Sequence, residues 1–251
     1  MNRRWTALFL CVGILLSLLP GIRASHLSEE VYSGECGDVQ WNFDPDTGRL
    51  TLICQGYMEE FGRGEAPWQE WAESIISLVL EGELSGPSPY AFADLTRLRS
   101  VSWCETILSI SDGMFQGCTG LKTMQVPEGV CAIGARAFEN HAEIHELVIP
   151  EGVVEIGERA FSSCMNLERI VLPSTLELLG AGAFRGCRKL ERVILPDGIR
   201  AIERQTFLRC SSLADVEFPG HMESVGDEAF QKCVSLGSLA LPESLRSIGE
   251  Q

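Results

Sequence analysis

From about residue 75 to the end of the chain, apolar residues recur with a period of 23. Phe92, Phe115, Phe138, Phe161, Phe184, Phe207 and Phe230 mark the period and make up 7 of the 11 phenylalanines. Other columns keep the same register. Six residues after each Phe stands Leu98, Leu121, Ile144, Leu167, Leu190, Leu213 or Leu236, and nine after stands Val101, Met124, Leu147, Ile170, Val193, Val216 or Leu239. The eleventh position holds Trp103, Val126, Ile149, Leu172, Leu195, Phe218 or Leu241. The next residue is proline in six copies: Pro127, Pro150, Pro173, Pro196, Pro219 and Pro242. A second apolar pair follows, exemplified by Val153 with Ile156 and by Ile199 with Ile202.

The pattern within one copy predicts a short strand stopped by proline, a turn, a second short strand, and a corner at Ala-Phe. One such coil cannot close a core alone. Stacked coils bury Phe on Phe and Leu on Leu, so stability sums over neighbours. A coil of 23 lies within the range of leucine-rich repeats and is shorter than helical repeats. The expected fold is therefore a leucine-rich-repeat solenoid with a parallel β-sheet on its concave face. About eight coils over residues 75–251, the last incomplete, would make a rod of roughly 35–40 Å at ~4.8 Å per coil.

Residues 25–74 do not follow the period. Val39, Trp41 and Phe43 alternate with polar residues, a turn cluster follows at Asp44–Gly48, and Leu50, Leu52 and Cys54 alternate again. This predicts a β-hairpin. Pro67 could open a short helix carrying Trp68, Trp71 and Ile75 on one side. A solenoid leaves an open core and an unpaired sheet edge at its end, so this segment reads as an N-terminal cap. The rival reading is a separate binding module with aromatic ligand contacts. At the other end, the next Ala-Phe would fall beyond Gln251. That predicts a chain belonging to a longer protein.

Residues 1–24 read as a secretory signal peptide, with Arg3 and Arg4, an apolar run from Trp5 to Leu19, and cleavage after Ala24. The run is too short for the roughly 20 residues of a membrane anchor. The mature chain is expected to be secreted or on the cell surface, with no membrane span. Charge supports this compartment only by exclusion. The net charge of −15 disfavours nucleic acid and anionic lipid as partners.

Five cysteines occupy one column three residues after Phe: Cys118, Cys164, Cys187, Cys210 and Cys233, with Leu95 and His141 in the other two places. The column reads as buried small thiols; a disulfide ladder or a metal stack is the sharper alternative. Cys36 and Cys54 flank the hairpin, and a disulfide between them is left open. Paired C-x-x-C spacing is absent, His141 and His145 do not form H-E-x-x-H, and no nucleophile elbow or phosphate loop appears. No catalytic site, cofactor or fixed metal is expected. The acidic edge of Glu105, Glu128, Glu151, Asp197 and Glu243 reads as solvated charge, with calcium as its rival.

One outward column carries more. Ten residues after Phe the strand should face solvent, yet Val148, Val171 and Ile194 stand there, with Glu217 next. Two positions earlier lie Glu146, Arg169, Arg192 and Asp215. An apolar stripe rimmed by charge is how binding patches look. The ordinary alternative is that β-branched residues suit an exposed strand.

Ala-Ile-Gly-Ala-Arg-Ala-Phe-Glu-Asn-His (132–141) and Glu-Ile-Gly-Glu-Arg-Ala-Phe-Ser-Ser-Cys-Met-Asn-Leu (155–167) resemble BspA-type (Treponema-type) leucine-rich repeats. Ser33–Asp38 with Trp41 also resembles the segment ahead of such repeats in clostridial-type surface proteins. The resemblance implies bacterial surface or secreted proteins that bind, adhesins included, and brings no catalytic residues. The expected function is adhesin-like binding of a protein or glycan through the concave sheet. The alternative is a scaffold segment of a longer surface protein.

Overall fold

The computed structural model describes residues 31–250. The segment read as an export signal, with its cleavage after Ala24, lies outside them. The chain forms a repeat solenoid of short strands, with a single one-turn 3-10 helix at Gln69–Trp71 among the described residues. The N-terminal part holds β1 (Tyr32–Asp44), β2 (Arg49–Met58) and β3 (Ser77–Gly86). A repeat can then contribute a strand after its Leu column, as five of the seven do: β4 (Ser100–Ser102), β7 (Glu146–Val148), β9 (Arg169–Val171), β11 (Arg192–Ile194) and β13 (Asp215–Glu217). It contributes a second strand of two residues at β5 (Ser109–Ile110), β6 (Ala132–Ile133), β8 (Glu155–Ile156), β10 (Leu178–Leu179), β12 (Ala201–Ile202), β14 (Ser224–Val225) and β15 (Ser247–Ile248).

The first strands form two sheets, β1-β2-β3-β4 and β7-β9-β11-β13. Among the described residues only β1 and β2 pair antiparallel; every other pairing is parallel. The central residue of each three-residue strand points inward, so Leu147, Ile170, Val193 and Val216 are buried while their flanks are exposed. This is the two-residue alternation that a half-buried strand requires.

The Phe corner forms the third side of each coil. From Phe92 to Phe230 the rings stack in one continuous column, with centroids 5.4–5.8 Å apart. The residues two before and two after each Phe all have left-handed φ. Glycine fills these places around Phe115 and Phe184, but Arg136 and Asn140, or Arg159 and Ser163, fill them elsewhere. A side chain there costs about 1–2 kcal/mol. Inter-coil hydrogen bonds offset that cost. Arg136, Phe138 and Asn140 donate their N–H groups to Glu158, Ala160 and Ser162 carbonyls at 2.8, 2.8 and 2.9 Å.

This ladder runs one way, each coil donating to the next, so the carbonyls of the first coil lack a donor from a preceding one. Trp68 Nε1 donates to Ala91 O at 2.8 Å and Gln69 Nε2 to Ala93 O at 3.4 Å. The Trp68 ring also heads the Phe stack, 5.6 Å from Phe92 and tilted by 19°.

Three details differ from expectation. The helix expected from Pro67 is only one turn long, because Ile76 N–H already donates to Gly48 O at 2.7 Å and draws the chain into β3. Second, the coils of Phe115 and Phe230 lack the first strand. In both, the coil before carries an aromatic at the eleventh position, and that ring packs edge-on against the Phe: Trp103 on Phe115 at 5.3 Å, Phe218 on Phe230 at 6.1 Å. The larger ring holds the neighbouring backbones out of ladder register. Third, β10 and β12 do not pair. Glycine fills the place four before Phe in most coils, where a Cβ would press on the preceding backbone: at Gly180 it would lie 2.5 Å from Glu158 N. Glu203 stands in that place beside β12, and its Cβ keeps the coil from closing.

Candidate functional site

The residues expected to form a binding stripe are brought together on one sheet. Parallel pairing aligns Glu146 with Arg169, Arg192 with Arg169 and Asp215, and Val148 with Val171. The same register places Ile194 beside Glu217. Two straight rows therefore cross the strands: Glu146, Arg169, Arg192, Asp215, and Val148, Val171, Ile194, Glu217. The apolar members are open to solvent, with Val148 62%, Val171 52% and Ile194 54% exposed.

Charges in the first row read minus, plus, plus, minus, so the two arginines stand side by side and each turns to the carboxylate on its other flank. Arg169 Nη1 lies 3.8 Å from Glu146 Oε1, and Arg192 Nε lies 2.9 Å from Asp215 Oδ2. Arg192 also bonds Glu217. All these side chains are more than half exposed, so each pair contributes little to stability, ~0–1 kcal/mol. They set charge of both signs beside the apolar row. Beyond the rim, His145 Nδ1 and Lys189 Nζ approach Glu168 at 3.4 and 3.5 Å.

The cysteine column points away from this face. Cys118, Cys164, Cys187, Cys210 and Cys233 are buried and unbonded. Each thiol donates to the carbonyl of the Phe one coil earlier, from Cys118 on Phe92 O at 2.9 Å to Cys164 on Phe138 O at 3.4 Å. Those carbonyls are the ones the one-way ladder leaves out. Burial pushes the Cys118, Cys187 and Cys210 thiols well up, and Cys233 to about 11, so they stay protonated donors. His141 takes the same place: its Nε2 lies 2.7 Å from Phe115 O, and its buried Nδ1 has no partner. Burial lowers its pKa to about 4.

Cys36 and Cys54 are likewise buried and unbonded. Cys54 faces Val39 in the hairpin, and a register shift between Gly37 and Val39 separates Cys36 from it. Burial pushes both thiols up to about 12. Among the described residues no group of three His, Cys, Asp or Glu is placed to hold a metal ion. On the acidic edge, Glu151 accepts bonds from Ser174 N and Oγ at 3.1 and 2.9 Å, which hold its carboxyl below the usual range.

Two surface features escaped the sequence reading. Leu108 and Val154, 64% and 42% exposed, flank exposed Cys131 on the second-strand side. The row follows the sixteenth position after Phe, a column that could have been read from the period. A groove of about 740 Å³ opens where β10 and β12 part, lined in part by Glu155, Glu158, Glu177 and Asp197.

No helix among the described residues is long and apolar enough to cross a membrane. No curated protein matches the chain. A leucine-rich repeat protein from Bacteroides ovatus ATCC 8483 is 25% identical with a TM-score of 0.68. The match covers 84% of this chain, which spans only 60% of that protein's length. A Treponema pallidum leucine-rich repeat protein is 18% identical with a TM-score of 0.49, over 82% of this chain and 91% of that one. The pneumococcal vaccine antigen PcpA is 14% identical with a TM-score of 0.47, over 86% and 77%. The model of the BspA type leucine rich repeat region matches in 6 copies across residues 88–207 and 131–251. With its Phe stack, Cys column and paired short strands, this chain belongs to the BspA-type leucine-rich-repeat family.

Proposed function

We propose that the chain is an exported, non-catalytic binding protein that takes a protein or glycan partner on the β7-β9-β11-β13 sheet. The observation that carries this reading is the row Val148, Val171, Ile194. Three large aliphatic side chains stand in parallel register on a solvent face, each more than half exposed. A short strand gains only roughly 0.2–1 kcal/mol per cross-strand pair from them there, since its main packing comes from the inward residues. Burying such a row under a partner gains about 25 cal/mol per Å² of apolar surface, and the rim of Arg and carboxylate groups adds selectivity. On the same reading residues 25–74 are the end cap of the repeats at 75–251, supported by Trp68 heading the Phe stack.

The test is a panel of purified glycans and surface proteins probed with the wild-type chain and with Val171→Glu plus Ile194→Glu. The reading expects a partner that binds the wild type and loses at least tenfold in affinity with the double variant, while circular dichroism and melting stay unchanged. A partner bound equally by both chains overturns it.

A further inference from the structure

The second strands bond from coil to coil through a recurring pair of backbone bonds. Leu178 and Gly180 donate their N–H groups to Val154 O and Ile156 O at 3.1 and 2.8 Å, and Ser224 and Gly226 donate theirs to Arg200 O and Ile202 O at 3.4 and 2.7 Å. Among the described residues the junction of β10 with β12 is the one between consecutive second strands that stays open. The groups that would close it are Glu177 O, Leu179 O, Ala201 N–H and Glu203 N–H. None of the four has a hydrogen-bond partner among the described residues.

One residue accounts for the opening. At closed junctions glycine holds the place four before Phe, and a Cβ on Gly157, Gly180 or Gly226 would lie 2.5–2.6 Å from a backbone nitrogen of the preceding coil. Glu203 carries that Cβ. The break is local. Beyond it Gly182 N–H donates to Arg204 O at 2.9 Å, and before it Gly198 lies so near the preceding coil that a Cβ there would meet Leu176 O at 2.3 Å. What remains is the groove of about 740 Å³, with one edge of acceptors and one of donors.

We infer that this groove takes a short, extended, basic peptide segment of a partner protein, which adds to the freed strand edges. The freed groups specify a peptide. Glu177 O and Leu179 O stand two residues apart on one edge, and Ala201 N–H and Glu203 N–H two apart on the other. An extended chain presents N–H and C=O groups to each side at that same interval, and strand addition to an open edge is a general mode of peptide binding. Charge selects the sequence. Glu155, Glu158, Glu177, Asp197 and Glu203 line the groove against one cation, Arg200, and Arg200 Nη1 lies 3.7 Å from Glu223 outside it. An acidic segment is repelled there and a basic one attracted. Leu178, 60% exposed at the groove, offers contact to an aliphatic side chain. The inference does not rest on the stripe and concerns different residues.

The test is calorimetric titration of acetyl-Lys-Val-Lys-Val-Lys-amide into the full chain at physiological ionic strength. Two probes accompany it: the same peptide with Glu for Lys, and the basic peptide with its valine amides N-methylated. Saturable binding of the basic peptide is expected, with both other probes at least tenfold weaker. Glu203→Gly removes the Cβ and should close the junction, slowing hydrogen exchange at the Ala201 amide and weakening the peptide at least tenfold. Glu203→Gln removes the charge but keeps the Cβ, and should stay within about threefold of the wild type. Val171→Glu plus Ile194→Glu should leave binding unchanged, and melting curves verify that each variant is folded. No saturable binding of the basic peptide, or equal affinity in Glu203→Gly and Glu203→Gln, overturns the site. The N-methylated peptide bound as tightly as its parent overturns strand addition, and the acidic peptide bound as tightly overturns the basic class.

Discussion

His141 makes stability depend on pH in a way that one substitution should remove. The ring fills a place that five other coils give to cysteine, is fully buried, and leaves Nδ1 without a partner. Burial holds its pKa at about 4 against an ordinary 6.5. In the unfolded chain the imidazole takes a proton as pH falls through about 6.5; in the folded chain it stays neutral until about 4. The unfolded state therefore binds more protons across this window, and stability falls as pH falls through it. At 1.36 kcal/mol per pH unit, the loss is on the order of 3 kcal/mol, complete below the folded value. His141→Cys restores the thiol donor to Phe115 O and removes the titration. At pH 7 two effects oppose each other in that variant. Losing the orphaned Nδ1 gains ~1–3 kcal/mol, whereas losing the ring that packs edge-on to Phe138 at 5.6 Å costs packing. The readout is therefore the change in the difference between the two chains. Urea unfolding followed by circular dichroism at several pH values from 7 to 4 should show the wild type losing about 3 kcal/mol more than the variant. Carboxylate titrations are common to both and cancel. Parallel curves across that range would refute the buried neutral imidazole.

Other perturbations separate the parts of the fold by size. Phe161→Ala removes a fully buried ring from the middle of the stack and should cost about 3–5 kcal/mol in urea unfolding, whereas Val171→Ala on the exposed face should stay within about 0.5 kcal/mol. Gly180→Ala puts a Cβ 2.5 Å from Glu158 N and should cost about 1–3 kcal/mol; an unchanged melting temperature would mean that the coils do not approach as closely as described. Trp68→Phe keeps a ring at the head of the stack but removes the donor to Ala91 O. It should cost about 1 kcal/mol, with faster hydrogen exchange in the first coil as the local sign.

The solenoid was legible because its columns repeat: a strand of three residues is too short to read alone, but six copies of apolar-x-x-apolar-x-apolar-Pro specify it. The stripe at Val148, Val171 and Ile194 was legible for the same reason, since register between coils follows from the period. The place of the cysteines was visible but their role was not, because the acceptor is a backbone carbonyl one coil away. Left-handed φ at Arg136, Arg159 and Gln205 left no mark in the sequence, because inter-coil hydrogen bonds, not residue type, enforce it. Propensity suggested a helix after Pro67, and pairing of Ile76 with Gly48 overrode it. Trp103, Phe218 and Glu203 were each visible as departures from their columns, and each sits where the structure loses a strand pairing.

The central claim is that the β7-β9-β11-β13 face meets the partner. Hydrogen exchange of the whole chain, with and without a partner from the panel, tests it most directly. The account predicts protection concentrated at residues 146–148, 169–171 and 192–194. Protection confined to the β8, β10 and β12 side, with those three strands unchanged, would contradict it.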